Sequence, residues 1–219
     1  MSGATEQAGI QVVESVNTGA TYPVPWGSLK RSAIDKRPVD GPVRVLPLGL
    51  ESDEIADLKH HGGVDQAVYA FAAEDLRTWE DDLGRTIAPG GFGENLTTRG
   101  IDLNEVRLGE RWRIGTALLE VSTVRIPCSV FAGFVDQPRW VRRFTEHGRP
   151  GAYLRVIEEG SIEAGDVIEI AEKRSHSVTI GLIFRALTTE HTLLPRLLYE
   201  PRVARKARDR AERYVTKAG

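Results

Sequence analysis

Ala117-Leu-Leu-Glu-Val-Ser-Thr-Val-Arg-Ile-Pro-Cys128 is the stretch on which the reading of the fold turns. Leu119, Val121 and Thr123 recur at the two-residue period of a β-strand. Pro127 lacks the amide that a ladder needs, so the strand stops just before Cys128.

Outward from this strand, the same kind of segment recurs. Ile10–Val16, Val43–Leu50, Ala67–Phe71, Val106–Ile114, Ala152–Ile157 and Asp166–Ile170 are rich in β-branched or alternating apolar residues, with Gly, Pro and Asp turns between them. Many short strands at this spacing predict a mainly β fold, a barrel or sandwich, because closure removes exposed sheet edges. Strands and helices do not alternate regularly, which argues against a doubly wound parallel sheet.

Two helices interrupt the strands. Leu76, Trp79 and Leu83 place one apolar face on a helix over Ala72–Leu83. A second is expected over Asp136–His147, with Asp136 as cap, Pro138 in the first turn, Trp140, Val141 and Phe144 inward, and Gly148 as the stop. After Ser175 the period changes to that of helices: Ile180, Ile183, Phe184 and Leu187, then Leu193–Leu198 before Pro201, then Val203, Ala207, Tyr214 and Val215. Three short helices bury too little surface to stand alone, so they are expected to pack on each other and on the β part. The expected organisation is a β domain over 1–175 and a small three-helix C-terminal domain over 176–219.

Composition narrows the function classes. Hydrophobic residues make up 41% and charged residues 27% of the 219 residues, the balance of a soluble globular chain. No apolar run approaches the roughly 18 residues needed to span a membrane. The opening MSGATEQAGIQVV lacks a basic segment followed by an apolar run, so no signal peptide is expected. A lone cysteine makes no internal disulfide, and the cytoplasm is the expected compartment. Residues 201–219 carry a balance of +5 and the rest −7, for a net charge of −2. Without interleaved aromatic residues, this basic tail reads as a solvated helix face, and no nucleic-acid partner is expected.

Five segments can carry chemistry. Cys128 follows a strand end and lies three residues after Arg125, whose charge favours the thiolate, the form that binds soft metals or acts as a nucleophile. Taken alone, such a cysteine reads more readily as a small buried apolar residue. In Lys59-His-His-Gly-Gly-Val-Asp65, Gly62 and Gly63 permit either close approach to a ligand or a tight turn. His60 and His61 point to opposite sides of an extended chain and are poorly placed to share one metal. Pro89-Gly-Gly-Phe-Gly-Glu-Asn95 is not a nucleotide loop, because the strand-like Leu96-Thr-Thr98 follows it instead of a helix. Its glycines expose backbone amides and can aim Glu94 and Asn95 into a pocket. Lys30-Arg-Ser-Ala-Ile-Asp-Lys36 and Gly148-Arg-Pro-Gly-Ala-Tyr-Leu-Arg155 set basic donors beside small residues, which suits a phosphate-bearing polar cofactor or plain surface charge. No Gly-x-Ser-x-Gly elbow, CxxC, HExxH or EF-hand pattern is present.

Together and in this order, Ser32-Ala-Ile with Lys36-Arg-Pro-Val-Asp-Gly-Pro-Val43, His61-Gly-Gly63, Phe92-Gly-Glu-Asn-Leu96, Arg125-Ile-Pro-Cys128 and Gly148-Arg-Pro-Gly-Ala-Tyr-Leu-Arg-Val156 resemble the YiiM-like branch of the MOSC family. The resemblance covers residues 10–175, and the tail resembles that branch's three-helix C-terminal domain. It implies a MOSC-type β-barrel with a few flanking helices, holding a molybdenum cofactor (pyranopterin-Mo) with Cys128 as the metal ligand. Arg31, Ser32, Arg125, Gly62 and Gly63 would lie around the pterin or its phosphate, and His61 and Asn95 near the metal as catalytic residues. Tyr153 and Arg155 would be wall residues.

The activity it implies is that of an oxidoreductase, reducing N-hydroxylated compounds such as hydroxylamino nucleobase analogues to amines and thereby detoxifying them. With no flavin, nicotinamide or iron–sulfur motif in the chain, electrons would come from a separate reductase. The competing reading is a carrier of the cofactor or of sulfur without turnover of its own, and a third is a binding module that uses the fold without cofactor. Three positions depart from the family pattern: Arg31 in place of lysine, Gln66 in place of a basic residue, and Val124 in place of proline.

Overall fold

The computed structural model describes residues 10–27, 29–58 and 61–218. Lys59 and His60 of the glycine-histidine segment lie outside them. The strands are β1 (Val12–Thr18), β2 (Tyr22–Pro23), β3 (Arg31–Ser32), β4 (Arg37–Pro38), β5 (Val43–Leu46), β6 (Gly49–Leu50), β7 (Val68–Ala72), β8 (Leu96–Arg99), β9 (Arg111–Ile114), β10 (Ala117–Val124), β11 (Ala152–Glu158), β12 (Gly160–Ile162) and β13 (Ile168–Glu172). The α-helices are α1 (Ala73–Leu83), α2 (Ser129–Val135), α3 (Trp140–His147), α4 (Ile180–Thr188), α5 (Leu194–Leu197) and α6 (Arg205–Ala218).

One eight-stranded sheet in the order β13-β9-β10-β11-β7-β8-β1-β4 forms the body. It is antiparallel except between β7 and β8, which run parallel because α1 connects them as a crossover. The expected closed barrel is therefore corrected to an open, mixed sheet with helices. A local contact joins β1 to the start of β13: Val12 and Val167 form an isolated bridge, Ile168 N–H donates to the Gln11 carbonyl at 2.8 Å, Val13 N–H to the Asp166 carbonyl at 2.9 Å and Gly165 N–H to the Val13 carbonyl at 2.8 Å. A bulge between Val13 and Ser15 bends β1, and the ladder is not continued around the ring.

The strand that anchors the sequence reading sits near the centre. Every residue of β10 is buried, including Glu120 and Ser122, because α4 packs across it while β9 and β11 flank it. The expected strand Val106–Ile114 begins only at Arg111. Before it, Val106 and Leu108 pair instead with the chain entering α4: Leu108 N–H donates to the Val178 carbonyl and Ile180 N–H to the Val106 carbonyl, both at 3.0 Å.

The helix expected over Asp136–His147 is two helices. Asp136 adopts a left-handed conformation (φ 52°, ψ 52°) and closes the C-terminus of α2, and Arg139 (φ 56°) opens α3. Trp140 and Phe144 point inward as expected, whereas Val141 is exposed. Gly148 ends α3 at φ 75°. Among the described residues no helix is long and apolar enough to cross a membrane.

Candidate functional site

Arg125 and Cys128 leave β10 together and meet the start of α2. Cys128 takes the N-cap position of that helix with extended geometry (φ −128°, ψ 174°), so its sulfur sits where the first amides lack helical partners. Burial pushes the thiol's pKa up, but three neighbours outweigh it: the hydrogen bond from His61, the Arg125 guanidinium and the Phe131 amide bring it from 9.0 down to about 7. His61 Nε2 lies 4.0 Å from Sγ. A half-exposed thiol with thiolate character is a nucleophile or a soft-metal ligand.

Arg125 is buried and held in three ways. It donates from Nη1 to the Phe92 carbonyl at 2.6 Å, and its guanidinium lies 4.1 Å from the Phe131 ring centroid and 5.0 Å from that of Tyr69. The Phe92 carbonyl is offered by the loop 89–95, which folds around its own carboxylate. Glu94 accepts from the amides of Gly90 (2.7 Å) and Phe92 (3.0 Å) and from Thr97 Oγ1 (3.0 Å). Glu94 is therefore turned into the loop, not into a pocket, contrary to expectation. Gly93, at φ 77°, lets the loop pass Arg125, since a Cβ there would stand 3.0 Å from the Ile34 side chain and 3.3 Å from Arg125 Nη1.

These groups open onto a cavity of about 850 Å³, counting its open mouth. Cys128, His61, Asn95, Arg31, Ser32, Gly62, Arg125 and Tyr153 all line it. Segments spread from residue 31 to residue 153 thus meet at one place. Tyr153 comes from β11 opposite Tyr69 of β7, and the two rings lie 4.9 Å apart in the cavity wall. Ser32 Oγ accepts from the Ile34 amide at 3.1 Å, and Arg31, at the exposed rim, donates to Thr21 Oγ1 at 2.9 Å.

Asn95 lines the cavity with an amide already committed to neighbours. Oδ1 accepts from the Tyr69 amide at 3.1 Å, and Nδ2 donates to Asp53 Oδ2 at 2.9 Å and to the Asn17 carbonyl at 3.3 Å. Two residues expected at the site are not in the cavity lining. Gly63 (φ 80°) caps the 3-10 turn Val64–Gln66. Arg155 points to Glu120 and Asp65 because those carboxylates take up its guanidinium.

Sequence reasoning missed Lys36, Asp53, Tyr69 and Gln66, all in the lining. Lys36 and Asp53 form a buried ion pair, and burial draws the lysine below its ordinary pKa against the pull of Asp53. Lys36 ends a segment already noted for its basic residues, and Tyr69 is found through its cross-strand register with Tyr153. Asp53 had no local signal. Gln66 was noted only as a departure, yet its Oε1 is buried in the cavity wall without a hydrogen-bond partner. Among the described residues no three His, Cys, Asp or Glu side chains form a metal cluster.

A central sheet with a thiol-bearing cavity at one strand end is the architecture of a known class. The model of the MOSC domain matches residues 57–169, and the chain belongs to the MOSC domain family, in its YiiM-like branch. Protein YiiM of Escherichia coli is 35% identical over 164 residues, covering 73% of this chain and 72% of that protein. The crystal structure of YiiM from Geobacillus stearothermophilus superposes with a TM-score of 0.78 at 28% identity, covering 93% of this chain and 98% of that one. A protein of Gibberella moniliformis named "Reductase" is 35% identical over 149 residues, which are 65% of this chain and 26% of that longer protein.

Proposed function

We propose that this chain is a molybdenum-cofactor-dependent oxidoreductase that reduces N-hydroxylated compounds, such as hydroxylamino nucleobase analogues, to amines. The observation that carries the reading is the Cys128 thiol, held toward its thiolate by His61, Arg125 and the Phe131 amide at the wall of a large cavity. The donor set fits the cofactor: one soft sulfur for the metal, cationic Arg31 and Arg125 for a phosphate, and the orphaned Gln66 Oε1 as an acceptor for a pterin N–H. The longer Gibberella moniliformis protein, 26% of which aligns with this chain, is named "Reductase", which accords with a redox reading.

When bound, the cofactor supplies two-electron redox chemistry. The chain's own residues do the rest. Cys128 Sγ would hold the metal, His61 and Arg125 favour its thiolate, and Ser32, Gly62, Asn95 and Tyr153 would shape the wall that orients the ligand. Conversion of R–NHOH to R–NH2 and water consumes two electrons and two protons. His61 Nε2 is placed to hold one of those protons. The electrons come from a separate reductase, and the cytoplasm, where thiols stay reduced, suits Cys128.

The test uses protein purified from cells that make the cofactor. Stoichiometric molybdenum and pterin are expected, and Cys128→Ser should lose both. The metal-loaded protein, given chemically reduced viologen and an N-hydroxylated base, should form the amine. Metal without amine would favour the carrier reading, and a metal-free wild type would favour a binding module.

A further inference from the structure

The segment that brings His61 and Gln66 to the cavity is short and held at few points. The His61 amide donates to the Asp57 carbonyl at 2.9 Å and the Gln66 amide to the Gly63 carbonyl at 3.0 Å. Gly62 and Gly63, both at positive φ, leave the backbone between them little intrinsic stiffness. What fixes this strap to the sheet is Asp65. Its carbonyl accepts from Ser122 Oγ at 2.6 Å, and its carboxylate accepts from Arg155 Nη2 at 2.7 Å.

Arg155 stands two residues beyond the cavity-lining Tyr153 on β11, but serves a different set of partners. Nη1 donates to Glu120 Oε1 at 2.9 Å, and Nη2 also reaches the Arg202 carbonyl at 3.2 Å. The Glu120 side chain is 2% exposed and is met on its other oxygen by Arg111 at 2.9 Å and Arg202 at 3.4 Å. A buried carboxylate ringed by guanidinium groups is a rigid anchor, because releasing any partner strands charge in a poorly solvated place. One planar fork therefore ties the strap to the centre of the sheet and to the C-terminal segment at once.

We infer that Arg155 is a positioning residue: through Asp65 it sets the distance and orientation of His61 and Gln66 relative to Cys128, without touching the cofactor cavity. The effect on turnover rests on the reductase reading, but the geometry does not. Arg111 supplies the control, since it pairs with the same Glu120 and has no bond to Asp65.

Hydrogen–deuterium exchange on the full-length protein reads the strap directly. In Arg155→Gln the amides of His61 and Gln66 should exchange roughly tenfold faster, the scale of one lost charge-assisted hydrogen bond. Asp65→Asn should do the same, and the double variant should add little to either single change. Arg111→Gln should leave these two amides within about twofold of wild type. Unchanged exchange in Arg155→Gln, or equal loosening in Arg111→Gln, overturns the inference. If Arg155→Gln does not fold, Asp65→Asn decides alone, because it removes the charge of the link at its partly exposed end. On metal-loaded protein Arg155→Gln should lower kcat and leave molybdenum content near wild type. A wild type without molybdenum overturns the reductase reading, while the exchange comparison still decides the role of Arg155.

Discussion

His61 and Cys128 are 67 positions apart in sequence and 4.0 Å apart in the structure, and what each does is set by the other. Under the proposed function the thiol carries the soft-donor chemistry, and the imidazole stands beside it as a group able to pass a proton. His61→Gln keeps a hydrogen-bonding side chain of similar reach but cannot cycle a proton. Turnover should fall by at least roughly a hundredfold, the usual scale for losing a general acid, with molybdenum content unchanged. Full turnover at saturating substrate would remove His61 from proton delivery. Much of this pair was legible in sequence: Pro127 marks the strand end, Arg125 the charge beside the thiol, and the paired glycines a loop. Asp53 was not legible, since its meaning comes from Lys36 and Asn95, which reach it from other segments. Arg155 was read as a cofactor-site wall residue because it stands in the Gly148–Val156 segment that carries the family resemblance. Its partners Glu120, Asp65 and Arg202 are remote in sequence, and they alone show where the guanidinium goes.

At the scale of elements, periodicity located helices better than it located their ends. α1 and α4 fall where their apolar stripes predict, but the Asp136 region does not. Aspartate before Pro138 resembles a helix start, yet it also tolerates the left-handed conformation that ends one, and the preceding Ser129–Val135 run forms α2. The last turn of α3 carries a testable consequence. His147 stacks on Trp79 with ring centroids 4.5 Å apart, and burial lowers its pKa from 6.5, with Arg149 pushing the same way and Asp82 opposing. A histidine with a folded pKa below its unfolded value contributes stability above about pH 6.5, and that contribution is lost as pH falls through the folded pKa. In urea unfolding from pH 7.5 to 5, the stability difference between wild type and His147→Phe should therefore shift in favour of the variant as pH falls. Parallel stability curves across this range would show that His147 does not titrate differently in the two states.

The whole molecule differs from the sequence expectation in closure. A barrel was expected because many short strands need their edges covered, and here the two ends of the sheet meet only locally, through hydrogen bonds between residues 11–13 and 165–168. We propose that residues 1–175 and 176–219 are layers of one folding unit. The apolar core runs without a break from Trp112, Leu119 and Phe144 into Ile180, Ile183 and Phe184, and Phe184 meets Phe144 edge-on at 6.5 Å. Arg202 adds a polar link by reaching the buried Glu120. Phe184→Ala should cost about 3–5 kcal/mol, a large share of the roughly 5–15 kcal/mol that holds a domain together. The position of the tryptophans makes the test clean. All four (Trp26, Trp79, Trp112 and Trp140) lie before residue 176, so their fluorescence reports chiefly that part of the chain, whereas far-ultraviolet dichroism also sees α4 and α6. In both wild type and Phe184→Ala, the two signals should lose amplitude in one coincident transition, shifted to lower denaturant in the variant. If dichroism falls first while tryptophan emission holds, the C-terminal helices unfold on their own and the single-unit proposal fails.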